Sequence, residues 1–309
     1  MRHTESSALR APTHLTFHAA DGTPLVGTLF EPDQARRPAV LIAGALGVAQ
    51  RHYAPFAAWL AARGHAVLTF DLRGMGASRQ VRHRRSLRGL EADLLTWSRS
   101  DFGAAVGHLV AFNGGHPVTV VGHSLGLHHA DMTDAATQAR ISRAIGVGSG
   151  AGYWRDWAAP SRRVAPLMLH LAGPLLTPLF GYFPGRRLRM VGDLPAAVMR
   201  QWTLWCRHPE FAWGAEPDLV CASLEAARFP VVAFSFTDDE AMTETCTRKL
   251  LAAFRHAPTN LVRLAPQEVG MACIGHLGAF RPEGSERLWL RIAGSIEADD
   301  HLLEHVAAR

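Results

Sequence analysis

Val118-Thr119-Val120-Val121-Gly122-His123-Ser124-Leu125-Gly126 is the stretch on which the reading of the chain turns. Its β-branched run reads as a short buried strand, followed by an abrupt turn of pattern G-x-S-x-G and the start of a helix. A serine at the tip of such a turn sits in a strained backbone conformation with its hydroxyl presented at the end of a sheet. Gly122 and Gly126 carry no Cβ, so strand and helix can pass close together there. The helix beginning at Leu125 aims unpaired N–H groups at whatever occupies the serine, which favours negative charge. G-x-S-x-G alone occurs in many unrelated chains. The strand before it and the helix after it make Ser124 a candidate nucleophile.

On the N-terminal side, residues 1–13 read as loose chain. Residues 14–17 and 25–30 read as antiparallel strands joined by a turn at Asp21-Gly22-Thr23. Residues 39–43 form an unbroken apolar run, as a strand buried on both faces requires. The loop Gly44-Ala45-Leu46-Gly47 follows, then a helix with Tyr53, Phe56, Ala57 and Leu60 on one face, ended by Gly64. Residues 66–70 read as the next buried strand, closed by the Gly-rich turn Asp71-Leu72-Arg73-Gly74-Met75-Gly76. Leu87, Leu90, Leu94 and Trp97 lie at helical spacing and predict a long helix. Beyond Ser124, residues 144–147 continue the alternation as a strand. Strand–helix alternation implies a parallel sheet with right-handed crossovers and helices on both faces.

The pattern stops at about residue 152. From there to residue 228 the chain carries Trp154, Trp157, Trp202, Trp205 and Trp213, many prolines and long apolar stretches. This reads as an inserted, mostly helical cap over the C-terminal edge of the sheet. Alternation resumes with a strand at 230–236, a helix bearing Cys246, Leu250 and Phe254, a strand at 260–264, and a final helix bearing Trp289, Ile292 and Ile296. The expected fold class is α/β: a mostly parallel central sheet formed by residues 14–151 and 229–309, with a helical cap at 152–228.

The 309 residues are 48% apolar and 19% charged, which is ordinary globular composition with ample material for a core. The net charge of +5 invites a nucleic-acid reading. Its basic residues are scattered, however, apart from Arg79, Arg82, Arg84, Arg85 and Arg88, and no basic stripe is interleaved with stacking aromatics. That cluster reads as a solvated loop and helix start, or as an attractor for an anionic substrate. Cys206, Cys221, Cys246 and Cys273 show no metal spacing and read as buried thiols in a reducing, cytoplasmic compartment. The N-terminus shows no apolar signal region. Residues 165–185 are apolar but interrupted by Pro166, Pro174, Pro178 and Pro184, so no integral membrane segment is assigned. The sequence is silent on oligomeric state.

In open α/β sheets ligands bind outside the carboxyl ends of the strands. Ser124, Asp238 or Asp239, and His276 all fall at such ends, in the order serine, acid, histidine. A serine hydroxyl needs a base to take its proton, and His276 can do so near neutral pH. A carboxylate fixes the imidazole tautomer and stabilises the imidazolium. Asp239 is the favoured acid, because it leaves Thr243 where the next helix would begin; Asp238 is the alternative. An oxyanion hole needs two N–H donors. Leu125 offers one, and the loop after residues 39–43 offers the other, from Ala45 or its neighbour Leu46.

With Gly44–Gly47, Asp71–Gly76, Gly122–Gly126, Asp238/Asp239 and His276 in this order, the chain resembles the α/β-hydrolase superfamily. Its core is similar to the serine-aminopeptidase/monoacylglycerol-lipase type, the S33-like branch. More narrowly, it resembles a bacterial group of α/β-hydrolases without an established substrate, through Tyr53, Tyr153-Trp154-Arg155, Gly181-Tyr182-Phe183-Pro184-Gly185 and Ile274-Gly275-His276. The resemblance implies hydrolysis of an ester, thioester or amide through an acyl-enzyme, without cofactor or metal. Leu127 departs from the second glycine that relatives often carry after the motif. The Trp-rich cap suggests a largely apolar small acyl substrate, although those tryptophans could instead serve only to pack the cap. Acyl transfer with the same triad, and a non-catalytic binding protein on a hydrolase scaffold, are the alternatives.

Overall fold

Apolar residues alternate between two cores along most strands of this chain, so the sheet is covered on both faces. The computed structural model describes residues 10–34, 37–190 and 192–298. Its strands are β1 (Thr13–His18), β2 (Pro24–Phe30), β3 (Val40–Ala43), β4 (Val67–Phe70), β5 (Val118–His123), β6 (Ile141–Val147), β7 (Tyr182–Phe183), β8 (Leu194–Pro195), β9 (Val231–Phe236) and β10 (Thr259–Leu264). Eight of them form one sheet in the order β1-β2-β4-β3-β5-β6-β9-β10. β1–β2 and β2–β4 are antiparallel. All later neighbours in that sheet are parallel.

One face packs Phe102, Val106 and Leu109 together with Leu250 and Phe254 against Leu41, Val120 and Ala233. The other packs Phe56 and Leu60 with Trp289 and Ile292 against Val40, Val121 and Phe234. Odd and even positions of one strand thus serve opposite cores, as the pleat requires. Full burial of each such side chain stabilises by roughly 1.5–3 kcal/mol. β3, β5 and β9 are buried at every position, because helices cover both sides of them.

The expected helix through Leu87 and Leu90 does not form. Gly89 adopts φ 77°, a left-handed conformation that ends any helix. The helix starts at Leu94 instead, where the Asp93 side chain accepts from the Thr96 N–H at 2.7 Å. It runs through a π-helical stretch, Trp97–Phe102, into Gly103–Phe112. The sequence reading stopped short of this last segment. Arg79 is not part of a solvated loop either, since it pairs with Asp193 at 2.9 Å.

Between β6 and β9 lie the helices Ala159–Leu167, Gly173–Phe180, Ala196–Arg207, Phe211–Ala215 and Pro217–Ala226, with β7 and β8 paired as a small antiparallel ribbon. They enclose a third core containing Trp205, Phe211, Leu169 and Val198. The prolines do not interrupt the first part. Helix continues from Ala159 to Phe180 through a π-helical turn at Met168–Ala172. Pro174 has no N–H for the Leu169 carbonyl, and the Arg207 guanidinium donates to that carbonyl instead. At the far end Gly181 takes φ 75°, and Arg88 donates to the Leu179 and Phe180 carbonyls at 3.1 Å each. By length and composition this run could cross a membrane. One side of it, however, is packed into the third core.

All four cysteines are free; Cys206 and Cys246 are buried, whereas Cys221 is half-buried and Cys273 exposed, so the expectation of buried thiols holds for only two of them. The loose chain expected at residues 1–13 falls largely outside the described residues, although Thr13 already belongs to β1.

Candidate active site

β5 delivers Ser124 at the carboxyl end of the sheet in a backbone conformation few non-glycine residues adopt, φ 53°. The surrounding glycines permit it. A Cβ on Gly126 would lie 2.1 Å from the Ala43 carbonyl oxygen, and one on Gly122 would lie 2.3 Å from the Leu127 nitrogen. Leu127, the departure in this motif, is fully buried in the core. Room for it comes from Gly146 on β6, where a Cβ would meet the Leu127 side chain at 2.7 Å.

Ser124 Oγ lies 3.0 Å from His276 Nε2. His276 Nδ1 lies 2.9 Å from one carboxylate oxygen of Asp239 and 3.1 Å from the other. Asp239 is buried at the end of β9, where its Oδ1 also accepts from the Ala241 and Met242 N–H groups at 2.8 Å each. Asp238 does not reach the imidazole. Its Oδ2 accepts from the Ile274 and Gly275 N–H groups at 2.8 and 3.1 Å. Glu240 accepts from the His276 N–H at 2.8 Å. Three consecutive acids therefore hold one loop: Asp239 by the ring, Asp238 and Glu240 by the backbone. Thr243 caps the Glu244–Ala253 helix through the Cys246 N–H.

Burial alone would lower the pKa of His276. The hydrogen bond and charge of Asp239, with the charge of Glu240, reverse this and leave it above the ordinary histidine value. Asp239 thus favours a proton on the ring that faces Ser124.

A second network lies beneath the serine, and the sequence reading did not reach it. His123, the variable residue of the motif, is buried on β5. Its Nε2 meets the His276 carbonyl at 2.8 Å, so that nitrogen carries the proton. Its Nδ1 then accepts from Tyr53 Oη at 2.9 Å. Tyr53 Oη in turn accepts from the Ala45 N–H at 2.8 Å. Burial drives the His123 pKa far below its usual value, with the nearby His276 adding to the effect, and the ring stays neutral. The network ties together the β3 loop, the serine turn and the histidine loop. It also corrects one expectation: the Ala45 N–H is already engaged by Tyr53 and is not free to meet an oxyanion. The Leu46 N–H, one residue on, has no acceptor among the described residues. Neither periodicity nor the serine motif pairs Tyr53 with His123, which lie 70 residues apart.

The Gly-rich turn after β4 is held by Asp71, whose carboxylate accepts from the Gln50 and Ala77 N–H groups at 2.8 Å each. Gly76 is obligatory there, since a Cβ would lie 2.1 Å from that carboxylate. Next to it, buried Arg73 pairs with Asp101 and Asp21 at 2.7 and 2.6 Å. These residues fix the sheet's rim and do not line the cavity around Ser124.

Ser124, Leu125 and His276 open into a cavity of about 940 Å³. Ala45 and Leu46 border it from the β3 loop, and Trp157, Met168, Phe183, Met199 and Trp202 wall it from the inserted segment. Trp154, Trp205 and Trp213 pack in or against the segment's own core and do not line this cavity. The five tryptophans thus divide between lining and packing. No group of three or more His, Cys, Asp or Glu side chains is arranged to hold a metal ion among the described residues.

A mostly parallel eight-stranded sheet with helices on both faces, and a serine turn at the end of β5, is an α/β-hydrolase fold. The chain belongs to the alpha/beta hydrolase family, whose family model matches residues 39–285, and it is a hydrolase. A soluble variant of monoglyceride lipase from Saccharomyces cerevisiae, solved with a substrate analog, superposes with a TM-score of 0.64 at 15% identity, covering 95% of this chain and 96% of that one. The esterase domain of a Rhodothermus marinus protein gives 0.58 at 17% identity, covering 93% and 98%. A thioesterase domain from the curacin biosynthetic pathway gives 0.53 at 14% identity, covering 92% and 100%. At these identities the likeness is one of fold. No curated protein matches the sequence.

Proposed function

We propose that this hydrolase cleaves a carboxylic ester or thioester of a largely apolar acyl compound through an acyl-enzyme on Ser124. The observation that carries the reading is the unbroken line Ser124–His276–Asp239, opening into an apolar cavity. Ser124 Oγ attacks the acyl carbonyl while His276 Nε2 takes its proton. Asp239 holds the imidazole by Nδ1 and stabilises the imidazolium. The oxyanion forms against the Leu125 N–H and, from the β3 loop, the Leu46 N–H, with Ala45 displaced from that role by Tyr53. His276 then protonates the leaving group, and a water activated by the same histidine releases the acid. Residues 152–228 act as the cap, completing the two-part core of residues 14–151 and 229–309. Trp157, Met168 and Trp202 provide an apolar wall for the acyl chain.

The experiment is labelling with a fluorophosphonate, wild type beside Ser124→Ala, followed by mass spectrometry of the modified peptide. Label on Ser124 that is lost in the variant supports the reading. A screen of p-nitrophenyl esters of increasing chain length then defines the acyl preference. Well-folded wild type that takes no label would overturn it.

A further inference from the structure

The Ala159–Phe180 helical run has one face in the protein and one outside it. Ala165, Met168, Leu169, Gly173 and Thr177 are buried. On the opposite side Val164, Leu167, Leu171, Leu175 and Leu179 are each 50–67% exposed, forming an apolar row with no partner. Pro166, Pro174 and Pro178 are exposed beside them, so His170 is the one polar side chain on the strip from residue 164 to 179. From Val164 to Leu179 the strip is about 22 Å long at the helical rise of roughly 1.5 Å per residue. Leu188 and Met190, 40% and 50% exposed, continue it past the helix end. A monomer in water rarely leaves so extended an apolar row uncovered.

Along the sequence, the charge flanking the row has one sign. Between Asp156 and Asp193 the sequence holds no acidic residue and five arginines: Arg162, Arg163, Arg186, Arg187 and Arg189. All five are exposed. The first two stand at one end of the row and the other three beyond its far end. There the segment bearing exposed Arg84 and Arg85 is fastened to the helix terminus through Arg88. Arg162, Arg163 and Arg189 have no ion-pair partner among the described residues.

We propose that this face docks on an anionic lipid surface, with the leucine row dipping into the acyl boundary and the arginines meeting headgroup phosphates. Three features favour that occupant. Both ends of the row are basic, so a two-fold pairing of the row with itself would set arginine against arginine, while an anionic bilayer is complementary along its whole length. The helix lies on the surface rather than crossing it, because its other face is committed to the third core and Arg207 is bonded to its Leu169 carbonyl. The row also reaches the cavity mouth: Val164 and Met190 are exposed and at the same time line the cavity that contains Ser124. A lipophilic compound dissolved in the bilayer would enter there without crossing water. Docking goes beyond the proposed hydrolysis and does not depend on it.

The test is co-sedimentation of the full chain carrying Ser124→Ala with vesicles of phosphatidylcholine, alone or with about a third phosphatidylglycerol. The same binding is measured for a Leu171→Asp/Leu175→Asp variant, neither residue lining the cavity. Stronger binding to the anionic vesicles, weakened by salt and reduced at least tenfold in the double variant at unchanged Tm, is the expected result. No binding of the parent protein, or equal binding by the double variant, would overturn the proposal. Equal binding to neutral vesicles would overturn the headgroup assignment. If analytical ultracentrifugation shows a dimer that the double variant abolishes, and vesicles do not compete with it, the row is covered by a second copy instead. Should the double variant unfold, Arg162→Glu/Arg163→Glu replaces it, with the same tenfold loss on anionic vesicles expected.

Discussion

The carboxyl edge of the sheet and the inserted segment meet at one cavity, yet they are built on different physics. At the sheet edge the histidine loop and the β3 loop are held by paired polar groups: Asp239 to the His276 ring, Asp238 to the Ile274 and Gly275 amides, Glu240 to the His276 amide, and Tyr53 between Ala45 and His123. These contacts are directional and short, so a displaced atom loses the interaction. The inserted segment meets the cavity with Trp157, Met168, Phe183, Met199 and Trp202, whose contacts are non-directional and tolerate exchange. On the proposed function, chemistry belongs to the edge and selection among acyl groups to the insert.

If that division is right, edge substitutions lower turnover on every ester alike, whereas insert substitutions change which ester is preferred. The largest effect is expected from Ser124→Ala, a fall in kcat on the order of 10⁴–10⁶ with p-nitrophenyl esters of any length. Retained turnover would break the comparison at its root. Asp239→Asn should cost about 10⁴ in kcat by loss of the imidazole's tautomer and orientation. Asp238→Asn keeps an oxygen for the Ile274 and Gly275 amides and should cost on the order of tenfold or less. Equal losses would mean that the two acids share one role.

The pH profile sharpens the same point. Only neutral His276 can take the serine proton. Its pKa is raised, so kcat/KM should climb with pH through a midpoint above the ordinary histidine value of about 6.5. Without the Asp239 charge, burial dominates, and the midpoint of Asp239→Asn should move downward. An unmoved midpoint would assign the titration to another group.

Smaller changes follow from the network beneath the serine and from the cap. Tyr53→Phe leaves His123 Nδ1 and the Ala45 N–H without their partner and should cost about 1–3 kcal/mol of stability, read from urea unfolding. Trp202→Ala should alter kcat/KM by several-fold at most for short esters and by about 10-fold or more for long ones, since burying each methylene contributes roughly 0.8 kcal/mol. A loss independent of chain length would place Trp202 in cap packing and not in the acyl wall.

Much of the sheet was legible because burial on both faces forces continuous apolar runs, as in β3, β5 and β9. The helix through Leu87 was misread because periodicity cannot see that Gly89 turns left-handed, nor that Asp93 is the true cap. The prolines of residues 166–178 also show what propensity leaves out. Propensity counts each one against a helix, but Arg207, from a distant helix, supplies the hydrogen bond that Pro174 cannot.

By itself the sequence determined the serine turn, the order serine, acid, histidine, and the place where the alternating core is interrupted, because local backbone chemistry and strand burial leave their marks within a few residues. Which aspartate faces His276, which amide of the β3 loop stays free, and which tryptophans line the cavity were decided only by the tertiary structure. Those choices depend on contacts between residues tens to hundreds of positions apart, where a shift of one residue along a loop exchanges one partner for another.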